Sequence, residues 1–338
     1  MKIGIVNDTE MATHAITATL NSTRQHSVLW TAKNGHEAIR LCQENTPDLV
    51  LMDLVMPGMN GVETTREIMR SSPTGILIVT ASVRGNCGLA FDAMGVGALD
   101  VIATPTLASN AGRREFLAKI SQVGAILTDQ QQPVAPTPHR PDSPACTTPR
   151  TSEILVAIGC SAGGPAAIAQ ILATLTPMER AAVVIIQHID ARFAEDLAHW
   201  LQAFTSTPLK LVTEGDYIIP GQIFLAGKDG HMEAHGCSRL RYDPNLRGLA
   251  YQPSVDVFFE SIARNWKGRA MGIVLTGMGR DGATGLHAMR DAGFLTIAQD
   301  ESSSALFGMP KAASPFAAEI LPLSSIAQRI NQWIRTSK

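Results

Sequence analysis

The chain has 338 residues, a formal net charge of −2 and 45% hydrophobic residues. That length predicts two domains, each able to bury its own core, and the near-neutral charge excludes a surface built to bind nucleic acid. The start, Met1-Lys-Ile-Gly-Ile-Val-Asn-Asp, turns polar too soon for a signal peptide, and no apolar stretch would span a bilayer. A cytoplasmic protein without membrane insertion is therefore expected. The cysteines (Cys42, Cys87, Cys146, Cys160 and Cys237) are odd in number and lack paired spacing, so neither a disulfide framework nor a zinc site follows.

In chain order, apolar runs at 2–6, 27–30, 49–52, 76–80 and 100–102 read as strands. Helix-period segments fall between and after them at 11–20, 35–43, 61–70, 87–94 and 113–123. Such βα alternation predicts a parallel sheet covered on both faces, here over residues 1–124. Residues 125–151 are proline-rich and polar without hydrophobic period, the composition of an extended linker. The alternation resumes over 152–338, with strands expected at 154–158, 182–187, 223–226, 271–275 and 294–298, and a turn-rich middle at 231–249 suited to a small hairpin. The expected fold is α/β: two doubly wound parallel-sheet domains, the second Rossmann-like.

In the first domain Asn7-Asp8, Asp53 and Thr80 come at the ends of strands one, three and four. Converging carboxylates of Asp8 and Asp53 suit a hard divalent cation, Mg²⁺ by preference. The cation would neutralise a phosphoryl donor while Asp53 attacks as nucleophile, and Thr80 would hydrogen-bond the product. Taken singly, Asp8 and Asp53 are also ordinary turn acids. The run Leu51-Met-Asp-Leu-Val-Met-Pro-Gly-Met-Asn-Gly61 is more specific, and with it residues 1–124 resemble the receiver domain of two-component response regulators. That resemblance implies phosphorylation at Asp53, with Mg²⁺ held by Asp8, Asp53 and the Val55 backbone carbonyl. Two positions depart from the receiver pattern: Asn7 replaces the first of two acids, and Thr104-Pro105 stands where a lysine precedes the proline.

In the second domain three strand-like runs end in Ser161, His188 and Asp281. A parallel sheet delivers such residues to its carboxyl edge, where sites form. Gly159-Cys-Ser161-Ala-Gly163 matches the G-x-S-x-G elbow that exposes a serine on a strand-to-helix turn. Ser161 is the expected nucleophile, His188 the general base and Asp281 the residue orienting it. Cys160 is read as small and buried. Backbone N–H groups of Ala162 and Met278 are the expected oxyanion donors. Gly277-Met-Gly-Arg-Asp-Gly282 also fits G-x-G-x-x-G, and Asp300 lies near the spacing of a ribose-binding acid, which leaves a dinucleotide site as a competing reading. A carboxylate inside a pyrophosphate-binding turn argues against it. His231 and His235 are read as loop residues.

Ile158-Gly-Cys-Ser-Ala-Gly-Gly-Pro165, Gln187-His188, Gln252-Pro-Ser-Val-Asp-Val-Phe-Phe259, Leu275-Thr-Gly-Met-Gly-Arg-Asp-Gly282, Ala298-Gln-Asp-Glu301 and Phe307-Gly-Met-Pro310 occur in one order. Together they resemble the catalytic domain of the chemotaxis protein-glutamate methylesterases, the CheB family. Ala162 stands where that family commonly has threonine, and Lys228 where it has proline. The resemblance implies hydrolysis of glutamate γ-methyl esters on chemoreceptor cytoplasmic helices to glutamate and methanol, with deamidation of receptor glutamines. It also implies a CheA-type histidine kinase as phosphodonor and no cofactor in the esterase domain. Asn7 and Thr104 resemble the Wsp-type branch paired with surface-sensing receptors. Two other classes compete: a receiver joined to a weakly active fold that titrates a receptor or kinase, and a hydrolase of small-molecule esters.

Overall fold

Strands built almost wholly of apolar residues have to be covered on both faces, and the first sheet shows this residue by residue. The computed structural model describes residues 1–23, 25–81, 87–106, 108–127, 153–177, 179–228, 230–236, 238–243 and 253–336. The chain separates into two units, divided within the stretch 128–152 that lies outside those residues. The first unit runs β1 (Lys2–Val6), α1 (Glu10–Asn21), β2 (Ser27–Ala32), α2 (Gly35–Glu44), β3 (Leu49–Met52), α3 (Gly61–Ser71), β4 (Gly75–Thr80), α4 (Cys87–Gly95), β5 (Asp100–Ala103) and α5 (Asn110–Leu127). Its strands lie in the order β2-β1-β3-β4-β5, every pairing parallel. Ile3, Ile5, Leu49, Leu51, Leu77 and Val79 pack with Ile16, Leu20, Phe116, Ile120 and Val123 from α1 and α5. The alternate residues Val50, Met52, Ile76 and Ile78 are buried as well.

The second unit is larger. Its elements are β6 (Ile154–Cys160), α6 (Gly164–Thr174), β7 (Ala181–Gln187), α7 (Ala194–Gln202), β8 (Leu209–Leu211), β9 (Ile223–Leu225), β10 (His231–His235) and β11 (Arg239–Asp243). These are followed by α8 (Val255–Asn265), β12 (Arg269–Val274), α9 (Ala283–Asp291), β13 (Leu295–Gln299), α10 (Met309–Ala313), β14 (Glu319–Leu321) and α11 (Leu323–Arg335). Seven strands form one parallel sheet in the order β14-β13-β12-β6-β7-β9-β8, and β10 and β11 form an antiparallel hairpin. From the central β6 the chain proceeds to β7, out to the edge at β8 and back to β9 between them, then returns to β12 and continues outward through β13 to β14. The strand order therefore reverses between β6 and β12, a switch point at which a crevice opens outside the carboxyl ends.

Both parallel sheets and the alternation of strands and helices match the expected class. Differences are local. Strand β6 runs on to Cys160, so Ser161 is the first residue beyond it. Helix α5 extends to Leu127, past the helix end expected at Val123 and the domain boundary expected at 124; the rest of the proline-rich segment lies outside the described residues. The hairpin occupies 231–243, and residues 244–249 lie outside the description. His231, expected in a loop, begins strand β10 and is fully buried, because β10 packs against α8. The short strands β8 and β14 carry too few residues for a readable period.

Helices α8 and α9 approach so closely that a Cβ on Gly285 would sit 2.8 Å from the Asp256 carbonyl oxygen and 2.6 Å from Phe259 Cβ. Gly285→Ala must push the helices apart, at a cost of about 1–3 kcal/mol for overpacking against a gain of about 1 kcal/mol in helix propensity. The expected outcome is a lower thermal transition of the second unit, read by calorimetry, with the first unit's transition unmoved.

Candidate active site

Parallel pairing brings the three candidate residues to one edge. Cys160 pairs with Gln187 and Gly159 with Val274, so Ser161, His188 and the 275–281 turn all leave the sheet on adjacent strands. Ser161 begins the turn into α6, whose N-cap Gly163 adopts φ +76°, a left-handed conformation that glycine takes without strain. Pro165 lies in the helix's first turn, as its missing N–H allows. The nucleophile turn is held by its backbone. Ser161 N–H donates to the Thr276 carbonyl (3.1 Å), and the Ser161 carbonyl accepts from Gly164 N–H (2.8 Å) and from the Gln187 side-chain amide (2.9 Å).

Asp281 is buried, at 7% exposure, and donors surround it. Oδ2 accepts from His188 Nε2 (2.7 Å) and Val255 N–H (2.7 Å). Oδ1 accepts from Ser254 Oγ (2.8 Å), Asp256 N–H (3.0 Å) and Gly282 N–H (3.1 Å). Val255 and Asp256 open α8, so the carboxylate sits on that helix's N-terminus, where amides and dipole favour negative charge. Burial would raise the Asp281 carboxyl, but the hydrogen bond and charge of His188 with the Asp256 and Val255 amides hold it below the usual carboxylate value. An ionised carboxylate only accepts, so a proton sits on His188 Nε2 toward Asp281, and Nδ1 is the nitrogen through which the ring can exchange a second proton.

Met278, the second expected oxyanion residue, follows Gly277, whose added Cβ would lie 2.9 Å from Ser161 Cβ and 3.0 Å from its nitrogen. The peptide between them thus runs beside the nucleophile turn. Ala162 is buried, its carbonyl accepting from Thr276 Oγ1 (3.0 Å). Cys160 is fully buried, its thiol donating to Gln187 Oε1 (3.1 Å) and pushed far above the ordinary thiol value by burial. It is no nucleophile.

The dinucleotide reading finds no support in this geometry. Asp281, inside the glycine turn, faces α8, and Asp300 spends its carboxylate on Ser302 and Ser303 in its own loop. Sequence reasoning missed Ser254, Asp256 and His231. Ser254 N–H donates to His231 Nδ1 (3.3 Å), and Asp256 Oδ1 accepts from Gly285 N–H (2.7 Å). Each of the two helices is thereby capped by the acid of the other's segment. Ser254, as the N-cap of a helix-period segment three residues before Val257, was the available signal.

On the first unit, Asn7 Nδ2 donates to Asp53 Oδ2 (2.8 Å), and Asp53 N–H reaches the Val6 carbonyl (2.9 Å). Asp8 is exposed and Asp53 half-buried. Burial raises the Asp53 carboxyl above the usual value, the Val55 and Leu54 amides oppose this, and the charge of Asp8 adds to it. Thr80 is buried at the end of β4, and its carbonyl accepts from Thr104 N–H (3.0 Å). Asn7, Asp8, Asp53, Thr80 and Thr104 therefore lie at the carboxyl ends of neighbouring strands.

Residues 156–330 match the family model for the CheB methylesterase and residues 3–111 that for the response regulator receiver domain. The chain is 46% identical over 335 residues, 98% of this chain and 97% of the relative, to protein-glutamate methylesterase/protein-glutamine glutaminase 2 of Cupriavidus metallidurans. It is 46% identical over 337 residues, 98% of each chain, to the protein of that name numbered 3 in Pseudomonas aeruginosa. Among solved structures it resembles the CheB methylesterase catalytic domain of Thermotoga maritima, with 26% identity and a TM-score of 0.51 over 54% of this chain and 99% of that one. Edge geometry, domain order and full-length similarity agree: the chain belongs to the CheB family of receiver-linked protein-glutamate methylesterases.

Proposed function

We propose that this protein hydrolyses γ-methyl esters of glutamate on chemoreceptor cytoplasmic helices, under control of phosphorylation at Asp53, and deamidates receptor glutamines. The observation that carries it is the 2.7 Å His188–Asp281 pair beside a serine on the adjoining strand. In this reading residues 1–124 are the receiver, 125–151 the linker and 152–338 the esterase. His188 Nδ1 takes the Ser161 hydroxyl proton as Oγ attacks the ester carbonyl carbon. The Ala162 and Met278 N–H groups meet the oxyanion. Collapse passes the proton to the leaving oxygen, releasing methanol; water then attacks the acyl-serine by the same route and frees glutamate. A glutamine side chain follows the same course with ammonia leaving. What favours this over a passive binding module is that the donors around Asp281 keep its carboxylate ionised beside His188.

Asp8, Asp53 and the Val55 carbonyl are oxygen donors of the kind Mg²⁺ takes, and the mutual repulsion that helps raise Asp53 is what a cation relieves. Bound there, Mg²⁺ supplies charge neutralisation for phosphoryl transfer from a CheA-type histidine kinase. Asp53 provides the nucleophilic oxygen, Asn7 orients it and Thr80 meets the new phosphoryl group. A cytoplasmic location fits this partner, and no helix among the described residues is long and apolar enough to cross a membrane.

The test is methanol release from methyl-labelled receptor membranes. Ser161→Ala is expected to reduce it to background and Asp281→Asn to lower kcat by about 10³–10⁴-fold, the scale of losing the correct histidine tautomer. A small-molecule phosphodonor with Mg²⁺ is expected to raise release by wild type and leave Asp53→Ala unchanged; equal stimulation of both would end the control assignment.

Asp256 supplies a stability test. Burial, then the charge of Asp281, pushes its carboxyl up to about 8, and in protonated form it hydrogen-bonds Asp281. The folded state thus holds a proton that the unfolded chain releases near pH 4. Its stabilising contribution is full below that value and lost as pH rises through 8, with a limiting slope of about 1.4 kcal/mol per pH unit. Asp256→Asn keeps both hydrogen-bonding groups without the titration. Its thermal midpoint relative to wild type should climb from pH 5 to 8 and level off above; a gap constant with pH would refute the protonated assignment.

A further inference from the structure

Gln187 ends strand β7 with its side chain fully buried, and each polar atom is engaged. Nε2 donates to the Ser161 carbonyl (2.9 Å) and to the His188 carbonyl (3.0 Å). Oε1 accepts from the Cys160 thiol (3.1 Å), and the amide's orientation is fixed because the two carbonyls facing Nε2 can only accept. A Cβ at Gly164 would run into Oε1, so the first residue of α6 has to be glycine for the amide to fit. The amide thereby ties together the two segments that carry the nucleophile and the base, at the point where β6 and β7 stop being tied by sheet hydrogen bonds. Beyond Cys160 and Gln187 the strands pair no further, and the one remaining ladder contact is His188 N–H to the Cys160 carbonyl (3.0 Å).

A purely structural glutamine could have satisfied its amide anywhere in the sheet. Here both donors go to the main-chain carbonyls of the two reacting residues. We propose that Gln187 is a positioning residue for the esterase reaction: its amide holds the Ser161 and His188 backbones at a fixed separation, so that Oγ and the imidazole meet in register. This rests on the assignment of Ser161 and His188 as nucleophile and base. An error of about 1 Å in such placement is worth roughly 10²-fold in rate.

Gln187→Met preserves length and approximate volume but cannot donate. In the full-length protein, steady-state kinetics on methyl-labelled receptor and on nitrophenyl acetate are expected to show kcat reduced at least 10-fold with KM within 2-fold. Val184→Ala, a buried change on the same strand, calibrates simple destabilisation. It is expected to lower the thermal midpoint as much or more while keeping kcat within 2-fold. Folded Gln187→Met with kcat within 2-fold of wild type overturns the proposal, as does an equal kcat loss in Val184→Ala. Should Gln187→Met fail to fold, Gln187→Glu, which keeps Oε1 for Cys160, is judged by the same kcat criterion. Ser161-dependent hydrolysis of the nitrophenyl ester without methanol release would defeat the substrate assignment alone, and Gln187 would still be judged on that ester. No Ser161-dependent turnover of either substrate defeats both.

Discussion

A charged carboxylate inside a protein must be met by donors on every side, and much of the second unit is arranged around meeting that demand at Asp281. Three of its donors, Ser254 Oγ and the Val255 and Asp256 amides, come from the start of α8, and a fourth from Gly282. This requires α8 to point its N-terminus at the turn after β12. Asp256 in turn accepts from Gly285 in α9, which brings the two helices within reach of backbone contact. Only after these groups are placed does one direction of Oδ2 remain for an imidazole. His188 occupies it, and the ring is held with its second nitrogen basic. The two acids remain compatible because they differ in charge: one is kept ionised by His188 and amides, the other is kept protonated by burial and by the first.

The nucleophile is managed in a complementary way, through its main chain. Thr276 holds the Ser161 N–H by its carbonyl and the Ala162 carbonyl by its hydroxyl, and Thr276 N–H is itself held by Gln299 Oε1 (2.7 Å). Buried glutamines thus close two strands on either side of the nucleophile turn, Gln187 on β7 next to β6 and Gln299 on β13 beyond β12, each fully buried. Strand alternation then decides which of two adjacent reactive side chains can act. Cys160 is the last strand residue and points into the sheet's cover, where burial keeps its thiol protonated; Ser161 is the first residue past the sheet.

The features legible in the sequence were those with a period or a fixed offset. Continuous apolar runs marked the long strands, and the position of Ser161, His188 and Asp281 at their ends put all three on one edge without any tertiary information. The features that were not legible depend on which segments meet. Ser254 and Asp256 look like the opening of an ordinary helix, and nothing local says that its N-terminus receives Asp281 from 25 or more residues away. His231 read as a loop residue because Gly and turn formers surround it. Its burial comes from α8, which lies against β10 and is distant from it in sequence. Gln187 was visible as part of a motif, but its role is a three-way contact that no spacing encodes.

In the proposed phosphorylation-controlled esterase, the departures at Asn7 and Thr104 have a common electrostatic sense. Asn7 brings an amide donor to Asp53 where a second acid would bring repulsion, so the pocket has less negative charge for a cation to neutralise, and Asp53 is oriented before any cation arrives. Thr104 offers a hydroxyl and a backbone link to Thr80 where an ammonium would form an ion pair with a phosphoryl group. A neutral hydrogen bond contributes about 0.5–1.5 kcal/mol and one to a charged group about 1.5–3 kcal/mol. In the proposed reading, a phosphoryl group on Asp53 would therefore be held less strongly from position 104 than by an ammonium there. In the proposed control, a differential of about 1.4 kcal/mol would move a two-state equilibrium tenfold.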